Sequence, residues 1–291
     1  MILLTGANGQ LGQDFQKYFR QCGLDFIATD YTAVNGCEAL DITDKAAVAA
    51  FVEDKDIDTI INCAAYNDVD KAETEAEKAF ALNCEAPKNL GAIAKQNGMI
   101  FVTYSTDFVF DGAKDEPYRE DDAPNPLSIY GKSKYQGEQG VLEAYDRVFV
   151  IRTSWVFGMG NNNFNKSVIR WSKSNTQLRI VVDQTSAPTY SRDLAVYSWD
   201  LVRTGKYGLY HLSNQGQASK YDQAKYLLER IGWQGNLVRA KTEEFHLPAA
   251  RPVYSKLDSF KAETVIGRKM PDWTDAMDRF LNELKESGEI G

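Results

Sequence analysis

Tyr130 and Lys134 stand four residues apart in the run Ile129-Tyr130-Gly131-Lys132-Ser133-Lys134. On a helix this spacing puts a phenol and an ammonium on one face, within reach of a single reacting group. Such a pair can deliver or remove a proton. An isolated phenol, with a pKa of about 10, is sluggish near neutral pH, and a fixed cation beside it favours the phenolate. Bringing it to near 7 asks for roughly 4 kcal/mol of local electrostatics. Tyr and Lys at this spacing also occur on many solvated helix faces, so the pair takes its weight from where it lies in the chain.

From the first residue to about Ser154, short apolar runs alternate with helical patterns, which predicts a parallel sheet wrapped by helices. The first strand, Ile2 to Leu4, runs into Gly6-Ala7-Asn8-Gly9-Gln10-Leu11-Gly12, and a helix with Leu11, Phe15 and Phe19 on one face follows. This turn has the form G-x-x-G-x-x-G. Gly6, Gly9 and Gly12 would let the backbone approach a pyrophosphate, and the helix start offers free N–H groups. The second strand, Leu24 to Thr29, ends at Asp30, about twenty residues past the turn, where a carboxylate can hold the ribose hydroxyls of NADH and repel a 2'-phosphate. The third, Glu38 to Leu40, leads to Asp41-Ile42, an adenine contact. The fourth, Asp58 to Asn62, enters Cys63-Ala64-Ala65-Tyr66, where small residues would admit a flat cofactor, with Cys63 packing rather than reacting.

Two helices are expected over Val69 to Leu82 and Ala86 to Asn97, before a fifth strand from Met99 to Tyr104. Ser105-Thr106-Asp107 then falls at the carboxyl edge where open parallel sheets bind ligands. An acidic stretch through Asp111-Gly112 and Arg119-Glu120-Asp121-Asp122 reads as a solvated lid or surface loop. The helix of Tyr130 and Lys134 follows, and its Gly131, Gly137 and Gly140 suggest close approach by backbone or cofactor. A sixth strand, Val148 to Arg152, precedes Trp155. The regular alternation ends after Gly158, so residues 1–158 read as a dinucleotide-binding domain and 159–291 mainly as a smaller substrate domain, part of which returns to the main sheet. His211 reads as a satisfied strand residue, His246 as a surface residue.

The chain of 291 residues carries a net charge of -8, which excludes a general nucleic-acid binder. No apolar run approaches the roughly 20 residues of a membrane helix, and no secretory signal precedes the first strand. Cys22, Cys37, Cys63 and Cys84 form no C-x-x-C pair and no set with the two histidines, so reduced thiols in a cytoplasm are expected, with neither zinc nor a disulfide framework.

In this order and spacing, the glycine turn, Asp30, Ser105-Thr106-Asp107 and the Tyr130/Lys134 pair resemble an extended short-chain dehydrogenase/reductase. Cys63-Ala64-Ala65-Tyr66 running into Val69-Asp70-Lys71-Ala72-Glu73, Tyr104 through Gly112, and Arg152-Thr153-Ser154-Trp155-Val156-Phe157-Gly158 narrow the likeness to dTDP-4-dehydrorhamnose reductases. The resemblance continues through Gly160 to Phe164, Asp183-Gln184, Pro188-Thr189, Arg251-Pro252 and Pro271-Asp272-Trp273. It implies a Rossmann-type doubly wound α/β sheet and reduction of the C4 ketone of a dTDP-sugar by NADH or NADPH, for surface polysaccharide. It also implies that Tyr130 donates the proton while Lys134 holds the nicotinamide ribose and tunes the phenol. Thr106 would bond the reacting oxygen, Asp107 would hold the sugar, and Trp155 would stack on it. Gly9, Gln10, Leu11, Asp30, Asp41, Ile42, Cys63, Ala64, Ala65 and Tyr104 match cofactor contacts, and Tyr66 borders them. Asn163 and Arg251 fall on the substrate side, where Arg251 and Arg179 could supply charge to a diphosphate, while Lys256 reads rather as a solvated surface cation.

Three positions depart from the family pattern: Phe108 replaces a common tyrosine, Asn67 a usual threonine, and Ser186 a frequent glycine. Dehydration on this scaffold needs a second carboxylate after the Thr-Asp pair, and Phe108 stands there. Action on another 4-keto sugar nucleotide, epimerisation and a non-catalytic regulatory subunit remain as alternatives. The sequence offers no donor set for a metal, leaves a magnesium ion at a subunit contact without support, and leaves a homodimer open.

Overall fold

The structure, a computed structural model, describes residues 1–290. In chain order, its first half runs β1 (Ile2–Thr5), α1 (Gln10–Cys22), β2 (Phe26–Asp30), β3 (Glu38–Ala39), α2 (Lys45–Glu53), β4 (Thr59–Asn62), α3 (Val69–Ala72), α4 (Ala76–Phe80), α5 (Ala86–Gln96), β5 (Ile100–Thr106), α6 (Ile129–Ala144) and β6 (Val148–Thr153). The second half runs β7 (Val156–Phe157), α7 (Phe164–Ser174), β8 (Gln177–Val181), β9 (Thr185–Ser186), β10 (Thr189–Tyr190), α8 (Ser191–Arg203), β11 (Gly208–His211), β12 (Ala218–Ser219), α9 (Lys220–Arg230), β13 (Asn236–Ala240), α10 (Phe260–Ile266) and α11 (Trp273–Glu286).

Seven strands form one parallel sheet in the order β3-β2-β1-β4-β5-β6-β11. This is a doubly wound Rossmann-type sheet. The order reverses between β1 and β4, so a crevice opens at their carboxyl ends, just past Thr5 and Asn62. Alternation along each strand sends successive side chains to opposite faces. Ile2, Leu4, Ile61 and Val102 therefore meet Phe15 and Phe19 of α1 and Leu194 and Leu201 of α8. Leu3, Ile60 and Phe101 meet Leu90 and Ile93 of α5 and Val141 of α6 on the other face. A separate core of Phe157, Tyr190, Leu227, Met277 and Phe280 holds α7, α9 and α11 together.

The chain after Gly158 divides. Residues 191–211 go back to the main sheet, where α8 covers α1 and β11 extends the edge beside β6. Phe19 meets Trp199 edge-on at 5.2 Å across that contact. No described helix is long and apolar enough to cross a membrane.

Two local expectations give way. The helix foreseen over 69–82 is three pieces: α3, α4 and a π-helical turn, Ala81–Glu85, that runs on into α5. The turn brings Asn83 against α6, and a Cβ on Gly137 would lie 2.0 Å from the Asn83 carbonyl oxygen. The acidic stretch after β5 is a surface loop, as expected, with Arg119 and Asp121 exposed, but it is pinned at two points. Tyr118 is buried against Phe110 with its ring stacked at 4.1 Å, and Glu120 accepts a hydrogen bond of 2.8 Å from the His211 backbone N–H.

Candidate active site

A cavity of about 1100 Å³ opens over the carboxyl ends of β1, β2, β4 and β5. Gly6, Gly9, Gln10 and Leu11 line it, as do Asp30, Asp41, Ile42, Cys63, Ala64, Ala65, Tyr66 and Tyr104. Thr106, Asp107, Tyr130, Lys134, Trp155 and Asn163 complete the wall. Gly12 and Arg251 lie outside this lining.

The first turn fits the phosphates of a dinucleotide. Gly6 has φ +64°, and a Cβ there would sit 2.4 Å from the Ala64 backbone nitrogen, so this position accepts only glycine. Gly12 acts by packing: its Cβ would lie 2.4 Å from the Gly6 carbonyl oxygen, so its absence lets α1 close onto the turn. Gly9 caps α1 without a side-chain bond, which leaves first-turn N–H groups pointing to the cavity end of the helix. The Asn8 amide nitrogen in the same turn is buried and unpartnered among the described residues, a donor suited to a polar ligand. Asp30 accepts 2.8 Å hydrogen bonds from the backbone N–H groups of Asn8 and Tyr31. Its carboxylate thus belongs to the turn as well as to the ribose position. Replacing Asp30 with alanine removes a negative charge where a 2'-phosphate would stand, and is expected to move the NADPH-to-NADH ratio of kcat/KM about tenfold towards NADPH. Unchanged relative kcat/KM values would remove Asp30 from cofactor discrimination.

The reacting end is built by α6. Ser128 caps the helix, accepting from the Gly131 N–H at 3.1 Å, and a Cβ on Gly131 would lie 2.4 Å from the Phe108 carbonyl oxygen. Gly131 and Gly137 of this helix serve close backbone approach, whereas Gly140 faces the flexible Lys88 side chain. Asn83 completes the clamp by donating to the Tyr66 carbonyl at 3.0 Å and to Ser133 Oγ at 3.1 Å.

Burial pushes the Tyr130 phenol up to about 12, while the Thr106 hydroxyl acts in the opposite sense. The expected tuning of this phenol to near 7 by Lys134 is therefore not met, because desolvation dominates. The phenol therefore stays protonated at neutral pH. Lys134 donates a 2.6 Å bond to the Tyr104 carbonyl, and burial pulls its ammonium down to about 8. Burial likewise raises the Cys63 thiol far above its ordinary value, which leaves it an inert packing group.

Asp107 is buried beside Thr106, whose hydroxyl donates to it at 3.1 Å. Ser186 Oγ donates at 3.3 Å and Ser255 Oγ at 2.5 Å to its other oxygen, while burial lifts the carboxyl to about 6. Ser186, the departure from a family glycine, thus contributes a hydroxyl to this carboxylate. Trp155 adopts φ +46°, a left-handed conformation uncommon for a bulky residue, and lines the same cavity. Asn163 caps α7 and donates to Gln10 Oε1 at 2.8 Å, joining the start of α1 to that of α7. Arg251 forks onto Asp70 of α3 with bonds of 3.0 and 2.7 Å, so an anion there would have to share it. Arg179 pairs with Glu244. His211 is buried, and burial with the Arg152 guanidinium beside it holds its imidazole down to about 3, so it stays neutral.

Sequence reasoning passed over Asn8, Asn83, Ser255, Phe164 and Lys220. The Lys220 ammonium lies 3.4 Å from the centre of the Trp155 ring and 4.6 Å from that of Phe164. Among the described residues no three His, Cys, Asp or Glu side chains come together as a metal-binding set.

The chain matches the family model described as RmlD substrate binding domain over residues 1–286. It is 35% identical to the spore coat polysaccharide biosynthesis protein SpsK of Bacillus subtilis, covering 97% of each chain. It is 34% identical to the dTDP-4-dehydrorhamnose reductase of Escherichia coli, again covering 97% of each. Among solved structures, the dTDP-4-dehydrorhamnose reductase of Bacillus anthracis in complex with NADP superposes with a TM-score of 0.91 at 38% identity, covering 97% of this chain and 98% of that one. Full-length coverage, identities above one third and a shared fold show that this chain belongs to the dTDP-4-dehydrorhamnose reductase family.

Proposed function

We propose that the protein reduces the C4 ketone of dTDP-4-dehydro-β-L-rhamnose to dTDP-L-rhamnose with NADPH or NADH, for surface polysaccharide synthesis. The observation that carries this reading is one cavity that brings a protonated phenol, Tyr130, to Thr106 and Lys134 and continues to the glycine turn. Reduced nicotinamide dinucleotide, when bound, supplies the hydride. The proton comes from Tyr130, passed to the oxygen of the former ketone as negative charge develops there. Thr106 donates a hydrogen bond to the same oxygen, and Lys134 offsets the charge left on the phenolate. Asp107 accepts a sugar hydroxyl, and the Trp155 face packs on the sugar's C–H side. Gly6, Gly9, Gln10, Leu11 and Asp30 hold the dinucleotide, while Asn163 ties that turn to the sugar side.

Residues 1–158 with the returning segment serve the dinucleotide, and the rest of the second half serves the sugar nucleotide. A cytoplasmic setting is supported by four unpaired cysteines, and sedimentation velocity decides between a monomer and a homodimer. The test of function is nicotinamide absorbance with dTDP-4-dehydro-β-L-rhamnose, NADH and NADPH in parallel. Stoichiometric loss of reduced cofactor is expected. Dinucleotide binding without oxidation would turn the assignment to another 4-keto sugar or to a regulatory role, and a tightly held cofactor recovered unconsumed would turn it to epimerisation.

A further inference from the structure

Lys220 is the first residue of α9, with Ser219 and Asp222 forming a capping box around it. Its backbone N–H donates to the Gln184 carbonyl at 3.3 Å, which holds the helix start against the strand that carries Ser186. From there the side chain reaches between two aromatic rings of the cavity wall, Trp155 and Phe164. Among the described residues its ammonium has no hydrogen-bond acceptor within reach; ring faces stand in for one. A cation over an indole face is attracted by the ring quadrupole, most strongly when little water separates the two.

We propose that Lys220 is a positioning residue for the sugar nucleotide, holding the Trp155 indole in place through its ammonium. Trp155 needs such a brace. Its backbone is left-handed at φ +46°, a conformation that surrounding contacts must hold for a residue with a bulky side chain. The ammonium, itself held over Phe164, covers one face of the indole, so the ring keeps one orientation at the sugar end. This inference rests on the reductase reading above.

The brace is sensitive to pH. Burial draws the Lys220 ammonium down to about 7, Asp107 favours its charged form, and Arg251 opposes it. On its own helix Asp222 is engaged by Ser219. The attraction is complete below about 7 and is lost as pH rises through that value, because only the charged form is drawn to the ring. Loss of the charge is expected to raise the KM for the sugar nucleotide roughly tenfold, with the KM for NADPH and kcat little changed.

The kinetic test compares the native chain, Lys220→Met and Lys220→Arg. The native KM for the sugar nucleotide should climb from pH 6 to pH 8.5, a range that brackets the titration by about one pH unit below and one and a half above. Lys220→Met should show the high KM at every pH, and Lys220→Arg the low one, since a guanidinium stays charged throughout. Any limb near 6 that persists in Lys220→Met belongs to Asp107. Fluorescence without substrate supplies a second readout: the emission of Trp155, isolated as the difference from Trp155→Phe, should shift over the same pH range in the native chain and not in Lys220→Met. The same KM profile and the same emission in the native chain and Lys220→Met would overturn the inference. Absent turnover together with a Lys220-dependent emission shift would instead overturn the reductase reading and leave the brace standing.

Discussion

Replacing Tyr130 with phenylalanine is expected to lower kcat about a thousandfold, the middle of the range for loss of a general acid, while dinucleotide affinity stays nearly intact. The fold should not register the change. Phenylalanine fills the same volume, and Phe108 meets the ring edge-on at 5.8 Å through its aromatic part rather than its hydroxyl. The loss is chemical: with the phenol gone, a proton for the alkoxide must come from water, with no positioned donor to deliver it. Single-turnover oxidation of NADPH, compared with dinucleotide titration, separates the two effects. A kcat within a few-fold of the native value would take Tyr130 out of the mechanism.

The pH profile adds a signature. Tyr130, pushed up to about 12, keeps its proton across the working range. Lys134, drawn down to about 8, does not. Charge on Lys134 is therefore complete below about 8 and falls away above it, so kcat should decline on the alkaline side even though the acid itself is still protonated. A decline in kcat assigns the limb to the Tyr130/Lys134 pair, whereas a rise in the sugar-nucleotide KM alone assigns it to the brace on Trp155.

What was legible in the sequence follows how local each signal is. The glycine turn, Asp30 and the Tyr130/Lys134 pair announce themselves because short windows carry them: strand, turn and helix start in one case, one helical turn in the other. The parallel sheet was legible for the same reason, through apolar runs alternating with amphipathic helices. The π-helical turn at Ala81–Glu85 was not, since the contact it makes with α6 at Gly137 lies far along the chain. The partners of Asp107 were hidden too, because Ser186 and Ser255 are single serines in segments without periodicity. Lys220 gave no signal at all: a lysine at a helix start is ordinarily solvated, and only the fold brings it onto Trp155. Arg251 shows the opposite limit, a cation whose type suggested an anion while Asp70 had already claimed its fork.

The second large effect concerns stability and lies behind the reacting helix. Glu138, one turn beyond Lys134 on α6, is 3% exposed, and Arg152 of β6 is 2% exposed. The Arg152 Nε–H bonds both carboxylate oxygens, at 3.2 and 3.1 Å, and an Nη2–H adds a further bond to one of them. Phe110 covers the guanidinium at 5.1 Å, and neutral His211 abuts it at 3.3 Å. Neither neighbour can take over the charge. Replacing Glu138 with alanine strands a buried guanidinium, and is expected to cost about 3–5 kcal/mol. In a chain of this size that lowers the melting temperature by roughly 5–10 °C. Glu138→Gln should cost less, because an amide oxygen still accepts from Arg152. The pair also bears on chemistry, since Glu138 is the strongest influence favouring the charged form of Lys134 against burial. At temperatures where Glu138→Gln is fully folded, its alkaline limb in kcat should therefore move to lower pH. Calorimetry of both variants, read beside that profile, checks the two roles separately. A melting temperature for Glu138→Ala within about 2 °C of the native chain would show that water reaches Arg152 and that the pair does not anchor α6 to the sheet.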